Sequence, residues 1–140
     1  MQVDFSNVGL GAVLSQTDDT GQEYMVACCS RSLNKHERNY SSYKGECLAA
    51  VWGTKIYRHF LHGRHFTIVT DHEPLKWLMS SATLEGAHAR CLCMLQEYDF
   101  EIVHRPGVLH SNADALSRCQ ATATRLVPAW TTTLQRYALY

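Results

Sequence analysis

No stretch of eighteen apolar residues occurs in this 140-residue chain, so the sequence offers no candidate transmembrane helix. The first ten residues lack both a basic region and a long apolar run, and we expect no signal peptide. The six cysteines, Cys28, Cys29, Cys47, Cys91, Cys93 and Cys119, include no Cys-x-x-Cys pair, which argues against a zinc ribbon or a dithiol redox centre. Free and mostly buried thiols in a reducing, intracellular setting are the expectation. There is no internal repeat. There is also no net charge, since 13 basic and 13 acidic side chains cancel.

What is present fits one globular domain: 46% hydrophobic residues, 10% aromatic, and a length sufficient for its own core. The charge is neutral only in sum. Residues 1–30 carry −4, 31–64 carry +5, 65–101 carry −4 and 102–140 carry +3. If two divalent cations occupied four of the acids, the remaining charge would be about +4, permissive for a phosphate backbone. A solvated face explains the same pattern.

Val3 to Phe5 reads as the end of a strand followed by a Ser6-Asn7 turn. Gly9 to Gln16 places Leu10, Ala12 and Leu14 on one face. Thr17-Asp18-Asp19-Thr20-Gly21 is turn chemistry, and Glu23 to Ser30 pairs back to complete a three-stranded meander. Ser42 to Leu61, free of Pro, predicts one helix capped by Ser41 or Ser42 and ended by His62-Gly63. Phe66 to Thr70 is a fourth strand with Asp71 at its carboxyl end. Pro74 opens a short helix over Leu75 to Met79, and Glu85 to Tyr98 predicts another with Ala87, Cys91, Met94, Leu95 and Tyr98 on one stripe. Phe100 to His104 is a fifth strand, Arg105-Pro106-Gly107 a turn, and Asn112 to Arg118 a last helix. The expected fold is therefore α/β with a mixed sheet, the helical crossover adding the fourth strand parallel to the first. Residues 119–140 show no periodicity and form a tail, weakly structured or packed on the domain.

One carboxylate is out of place. At roughly 100° per residue the long helix gathers Trp52, Ile56, Ala49, Phe60, Gly53, Tyr57, Ala50 and Leu61 on one side, with Glu46 near the middle of that arc. Lys44, Lys55, Arg58 and His59 take the other side. A buried carboxylate ionises only beside a cation and otherwise shifts its pKa. Asp4 on the first strand, Asp71 after the fourth and Asp114 on the last helix are in suggestive positions too. A crossover helix would lay Glu46 over the strands that carry Asp4 and Asp71. Clustered oxygen ligands suit magnesium, and two such ions together activate water and stabilise a leaving oxygen in phosphodiester cleavage. From spacing alone, a turn role for each acid remains the alternative.

Six stretches in order carry a resemblance. They are Asp4-Phe5-Ser6-Asn7-Val8-Gly9-Leu10-Gly11-Ala12-Val13-Leu14, Ser30-Arg31-Ser32-Leu33-Asn34, Glu46-Cys47-Leu48-Ala49, Thr70-Asp71-His72-Glu73-Pro74-Leu75-Lys76-Trp77-Leu78, Arg105-Pro106-Gly107 and Asn112-Ala113-Asp114-Ala115-Leu116-Ser117-Arg118. Over residues 2–118 the chain resembles the RNase H domain of reverse transcriptases from gypsy-type LTR retrotransposons. The resemblance implies an RNase H-like domain over residues 1–118, with a five-stranded mixed sheet and flanking helices. It also implies hydrolysis of the RNA strand of an RNA–DNA hybrid with two Mg2+ or Mn2+ ions, beside a polymerase domain in a parent polyprotein. Asp4, Glu46, Asp71 and Asp114 match the family's four metal-binding acids. Two features depart from the pattern. Phe5 stands where the family has Ala, so it must pack under the sheet or disturb the neighbouring carboxylate, and the first strand has only three residues before Asp4. A catalytically inactive relic serving as a binding module, or a fragment of a longer polyprotein, are the competing readings.

Among the remaining residues, His104 has the chemistry of a proton shuttle, or simply ends a strand. Arg31, Lys35, Arg38, Lys44, Lys55 and Arg58 are candidates for phosphate contacts or for a solvated face. Trp77 reads as core rather than a stacking platform. His72 is discounted as a ligand because magnesium prefers oxygen. Trp130 and Tyr137 are apolar points in the tail.

Overall fold

The computed structural model describes residues 1–78, 86–106 and 111–118, with side chains for all of these except residues 76–78, 87, 88, 111 and 112. The expectations for Cys119, Trp130, Tyr137 and the tail 119–140 lie outside the described residues, as does that for the side chain of Trp77.

Alternating apolar residues build β1 (Gln2–Phe5), β2 (Gly9–Thr17) and β3 (Glu23–Ser32) into the antiparallel meander. Asp18 Oδ1 accepts from Thr20 N, Thr20 Oγ1 and Gln22 N, closing the turn between β2 and β3. After a 3-10 turn over Glu37–Asn39, α1 (Ser42–Ile56) and α2 (Arg58–Leu61) cross back to β4 (Phe66–Thr70). A 3-10 helix over Glu73–Leu78, α3 (Ala87–Leu95), β5 (Phe100–His104) and α4 (Ser111–Arg118) complete the chain order. The sheet runs β3-β2-β1-β4-β5, with β4 parallel to both β1 and β5. This is the five-stranded mixed sheet expected.

The two faces of β2 belong to different layers. Leu10, Ala12 and Leu14 enter the main core beneath α1, with Val3, Ala49, Ala50 and Ile68. Val13, on the opposite face, packs with Cys28 and Ala113 under α4. Cys28 and Cys29 part to the two layers as their adjacency requires. Of the described cysteines, Cys28, Cys29, Cys47 and Cys91 are buried and Cys93 is exposed, all of them free thiols.

Three expectations need adjustment. The single helix from Ser42 to Leu61 breaks at Tyr57 (φ −96°, ψ 16°), whose buried ring sends its hydroxyl to Ala12 O at 3.0 Å. That bond ties Tyr57 to β2 across 45 residues of chain, and Ile56 beside it is left exposed rather than in the core. The helix expected over Leu75 to Met79 is a 3-10 turn, although Pro74 does stand in its first turn. The next helix spans only Ala87–Leu95, after Gly86 at φ +64°, and Met94 of the proposed stripe faces solvent. No helix among the described residues is long and apolar enough to cross a membrane.

Candidate metal centre

β1 and β4 lie side by side and point the same way, so their carboxyl ends open on one edge of the sheet. β1 brings Asp4 to that edge, and β4 hands over directly to Asp71. α1 begins above it, with Ser41 Oγ accepting from Lys44 N at 3.4 Å as N-cap, and delivers Glu46 in its second turn. Among the described residues, Asp4, Glu46 and Asp71 form a potential metal-holding group, with one carboxylate oxygen from each lying within 4.8 Å of the other two. Asp4 and Glu46 are buried, whereas Asp71 is exposed.

Glu46 is held at both oxygens. Oε1 accepts from Phe5 N at 3.1 Å and Oε2 from Thr70 Oγ1 at 3.2 Å. Thr70 Oγ1 also accepts from His72 N at 3.1 Å, which ties β4 to the turn that carries Asp71. Burial first, then the Asp4 and Asp71 charges, push the Glu46 carboxyl up to about 8, against the lowering by its Phe5 and Thr70 hydrogen bonds. Without a cation the group is therefore largely protonated at neutral pH.

Phe5 does not disturb this arrangement. A Cβ on Gly45 would collide with the Phe5 ring at Cγ, Cδ1 and Cε1, so the glycine in the first turn of α1 is the space that the ring fills. The helix forgoes roughly 1 kcal/mol of propensity there, and in return the bulky side chain leaves Phe5 N facing Glu46.

Asp114 is placed differently. α4 lies against bare backbone, since a Cβ on Gly11 would sit 2.5 Å from Ala113 O and 2.8 Å from Ser117 N. Ser6 Oγ donates to Ser117 O at 2.7 Å and secures the helix end beside β1. Asp114 Oδ1, however, accepts from Arg118 Nε at 2.7 Å and pairs with Arg118 Nη2 at 2.6 Å. The Arg118 guanidinium is held above its usual value by Asp114 first, then by Asp4 and Asp71, so its charge also faces the acidic group. Three of the four expected acids thus converge, and the fourth pairs with Arg118.

His104 Nε2 lies 3.0 Å from Asp71 O, at the rim of the same edge. The His72 ring sits 6.0 Å from that of Tyr43. Of the candidate phosphate contacts, Arg31 is committed elsewhere: its guanidinium grips Glu37 at 2.7 and 2.9 Å and lies 5.7 Å from the Trp52 ring centre. Lys44 Nζ stands 4.0 Å above Tyr40. Lys35, Arg38, Lys55 and Arg58 are exposed.

Sequence reasoning assigned no role to Thr70, Gly45, Gly11 or Arg118. Of these, Gly45 is the one whose residue type disfavours the helix it stands in, and it directly precedes Glu46.

Residues 1–98 match the family model described as the RNase H-like domain found in reverse transcriptase. Over 118 residues the chain is 45% identical to the retrovirus-related Pol polyprotein from transposon 297 of Drosophila melanogaster, a match covering 84% of this chain and 11% of that protein. It is 39% identical over 119 residues to the corresponding polyprotein from transposon opus of the same organism, covering 84% of this chain and 12% of that one. The chain therefore spans about a tenth of the length of these relatives. The fold is also that of LC11-RNase H1, solved in complex with an RNA/DNA hybrid, with a TM-score of 0.62 and 18% identity over 83% of this chain and 91% of that one. With the acidic edge, the sheet order and these similarities in agreement, the chain belongs to the RNase H-like domains found in retrotransposon reverse transcriptases.

Proposed function

We propose that residues 1–118 form a metal-dependent endonuclease that hydrolyses the RNA strand of RNA–DNA hybrids, working beside a polymerase domain in a parent polyprotein. The observation that carries this reading is the convergence of Asp4, Glu46 and Asp71 in a chain of this family, one oxygen of each within 4.8 Å of the others. The donor set is all oxygen, and Glu46 is crowded by like charge until a cation offsets it. Both properties fit magnesium or manganese. Asp4, Glu46 and Asp71 would hold the ions, with Asp114 completing a second position once it leaves Arg118.

Two bound divalent ions would supply a nucleophile at neutral pH and charge for the leaving oxygen. The chain's own residues prepare for this. Phe5 N and Thr70 Oγ1 fix the orientation of Glu46, which must lose its proton before it can act as a ligand. His104, at the rim, is positioned to exchange a proton with solvent as product leaves. Lys35, Arg38, Lys55 and Arg58 give exposed positive charge for the hybrid's phosphates. By family, the cut leaves a 3′-hydroxyl and a 5′-phosphate. Free thiols are in keeping with an intracellular setting.

The Asp114–Arg118 pair favours a second reading, a binding module that keeps the fold without turnover. Cleavage of an end-labelled hybrid in magnesium separates the two, with Asp71→Asn as control. The nuclease reading expects cutting by wild type and at least a hundredfold less by the variant, on the order of the loss when one charge-stabilising group is removed. Equal and negligible cutting by both, with retained hybrid binding, would establish the binding module instead.

A further inference from the structure

Two of the buried thiols meet where α3 packs on α1. Cys91 and Leu95, one turn apart, are the buried points among the described side chains of α3. Cys91 Sγ donates to Cys47 O at 3.3 Å, so one cysteine side chain lies directly against the other residue. The two thiols are hydrogen-bond partners of each other as well. Both stand inside the main core, Cys47 at 3% and Cys91 at 7% exposure. Among the described residues no third cysteine, histidine or carboxylate completes a metal-holding group with them. Two sulfurs without further ligands suit a bond to each other better than capture of a four-coordinate metal.

The surroundings decide which sulfur reacts first. The hydrogen bond from Cys47 favours a thiolate on Cys91, while burial opposes it. Tyr43 lies one turn before Cys47 on α1 and is half-buried. Burial first, then the Cys47 and Cys91 charges, raise its hydroxyl, which places the phenol near both sulfurs. It gives the pair a polar side. Cys93, two residues beyond Cys91 on α3, is exposed and diverges from the face that meets Cys47.

We propose that Cys47 and Cys91 are an oxidation site for hydrogen peroxide, closing to a disulfide that ties the second turn of α1 to α3. The Cys91 thiolate attacks one peroxide oxygen and the O–O bond breaks. Cys91 becomes a sulfenic acid, and the departing hydroxide takes up a proton to leave as water. The Cys47 sulfur then attacks the sulfenic sulfur, the S–O bond breaks, and the hydroxyl leaves with the Cys47 proton as a second water. Two thiols give up two electrons and become one disulfide, and one peroxide is reduced to two waters. Cys47 directly follows Glu46, so the bond forms immediately behind the acidic edge. The inference does not depend on nuclease activity.

The test exposes the folded full chain to hydrogen peroxide on a Cys93→Ser background, which removes the exposed thiol, and maps tryptic peptides without reductant. The expected result is a loss of two hydrogens and a joined pair of peptides, one carrying Cys47 and the other Cys91, which dithiothreitol separates. In Cys47→Ala on the same background the bond cannot close. Dimedone should then trap the sulfenic acid on Cys91 with a yield at least about tenfold that of the parent. Cys91→Ala should give neither the joined pair nor an adduct at Cys47. A bond between any other two cysteines, or no change of mass in either peptide, overturns the proposal. So does a Cys47–Cys91 bond that forms only after guanidinium unfolds the chain. Equal dimedone yield on Cys91 with and without Cys47 overturns the pairing.

Discussion

Replacing Glu46 with Gln probes the charge crowding on which the site rests. The amide keeps the shape and an oxygen for Phe5 N but cannot ionise. In wild type the carboxyl rises from an ordinary value of 4.5 to about 8. A folded-state value raised above the unfolded one means that the folded chain holds its proton more tightly. The stabilisation is complete below pH 4.5 and is lost as pH climbs toward 8. At about 1.4 kcal/mol per pH unit, the loss is on the order of 4 kcal/mol, or roughly 10–15 °C in melting temperature for a domain of this size. Metal-free wild type should therefore lose stability from pH 5 to 8 while Glu46→Gln stays nearly flat and melts higher at pH 8. Magnesium should reverse the order, because a bound cation favours the ionised form and its contribution grows as protons leave. Scanning calorimetry at several pH values, with chelator and with magnesium, reads both effects. Parallel pH slopes for the two proteins in chelator would refute the crowding, and equal magnesium shifts would remove Glu46 as a ligand.

Gly45→Ala forces its methyl into the Phe5 ring and should cost about 1–3 kcal/mol by denaturant unfolding, most of it recovered in the Gly45→Ala/Phe5→Ala double variant. Gly11→Ala should lift α4 from β2, with a comparable loss of stability and slower hybrid cleavage, since Asp114 travels with that helix. Arg118→Ala should leave the unfolding midpoint essentially unchanged, because the pair is exposed, yet lower the magnesium concentration needed for half-maximal cleavage by releasing Asp114. Tyr57→Phe leaves Ala12 O without its buried donor and should cost about 1–2 kcal/mol in the same unfolding assay, with cleavage unaffected.

By itself the sequence determined the five strands and the family, while the helix bounds were settled by packing. Phe66–Thr70 and Phe100–His104 are strands with the bounds that alternation indicates, and Ser41 caps the helix that carries Glu46. These follow from side-chain period and capping chemistry within a few residues, which a linear reading captures. Ordered motifs also picked out Asp4, Glu46 and Asp71, although periodicity gave only Glu46 as anomalous. Tertiary structure alone decided the rest. Glu46 draws its hydrogen bonds from Phe5, 41 residues away, and from Thr70, 24 residues away. Its retained proton comes from desolvation that exists only once β1, β4 and α1 meet. The backbone contact that requires Gly11 joins β2 to α4, and the Ser6–Ser117 bond beside it closes 111 residues of chain. Asp114 could be recognised from its motif, but its commitment to Arg118 depends on where α4 lands on the sheet. Local pattern fixes which groups exist and what they can become; dielectric, close approach and pairing depend on neighbours that only folding supplies.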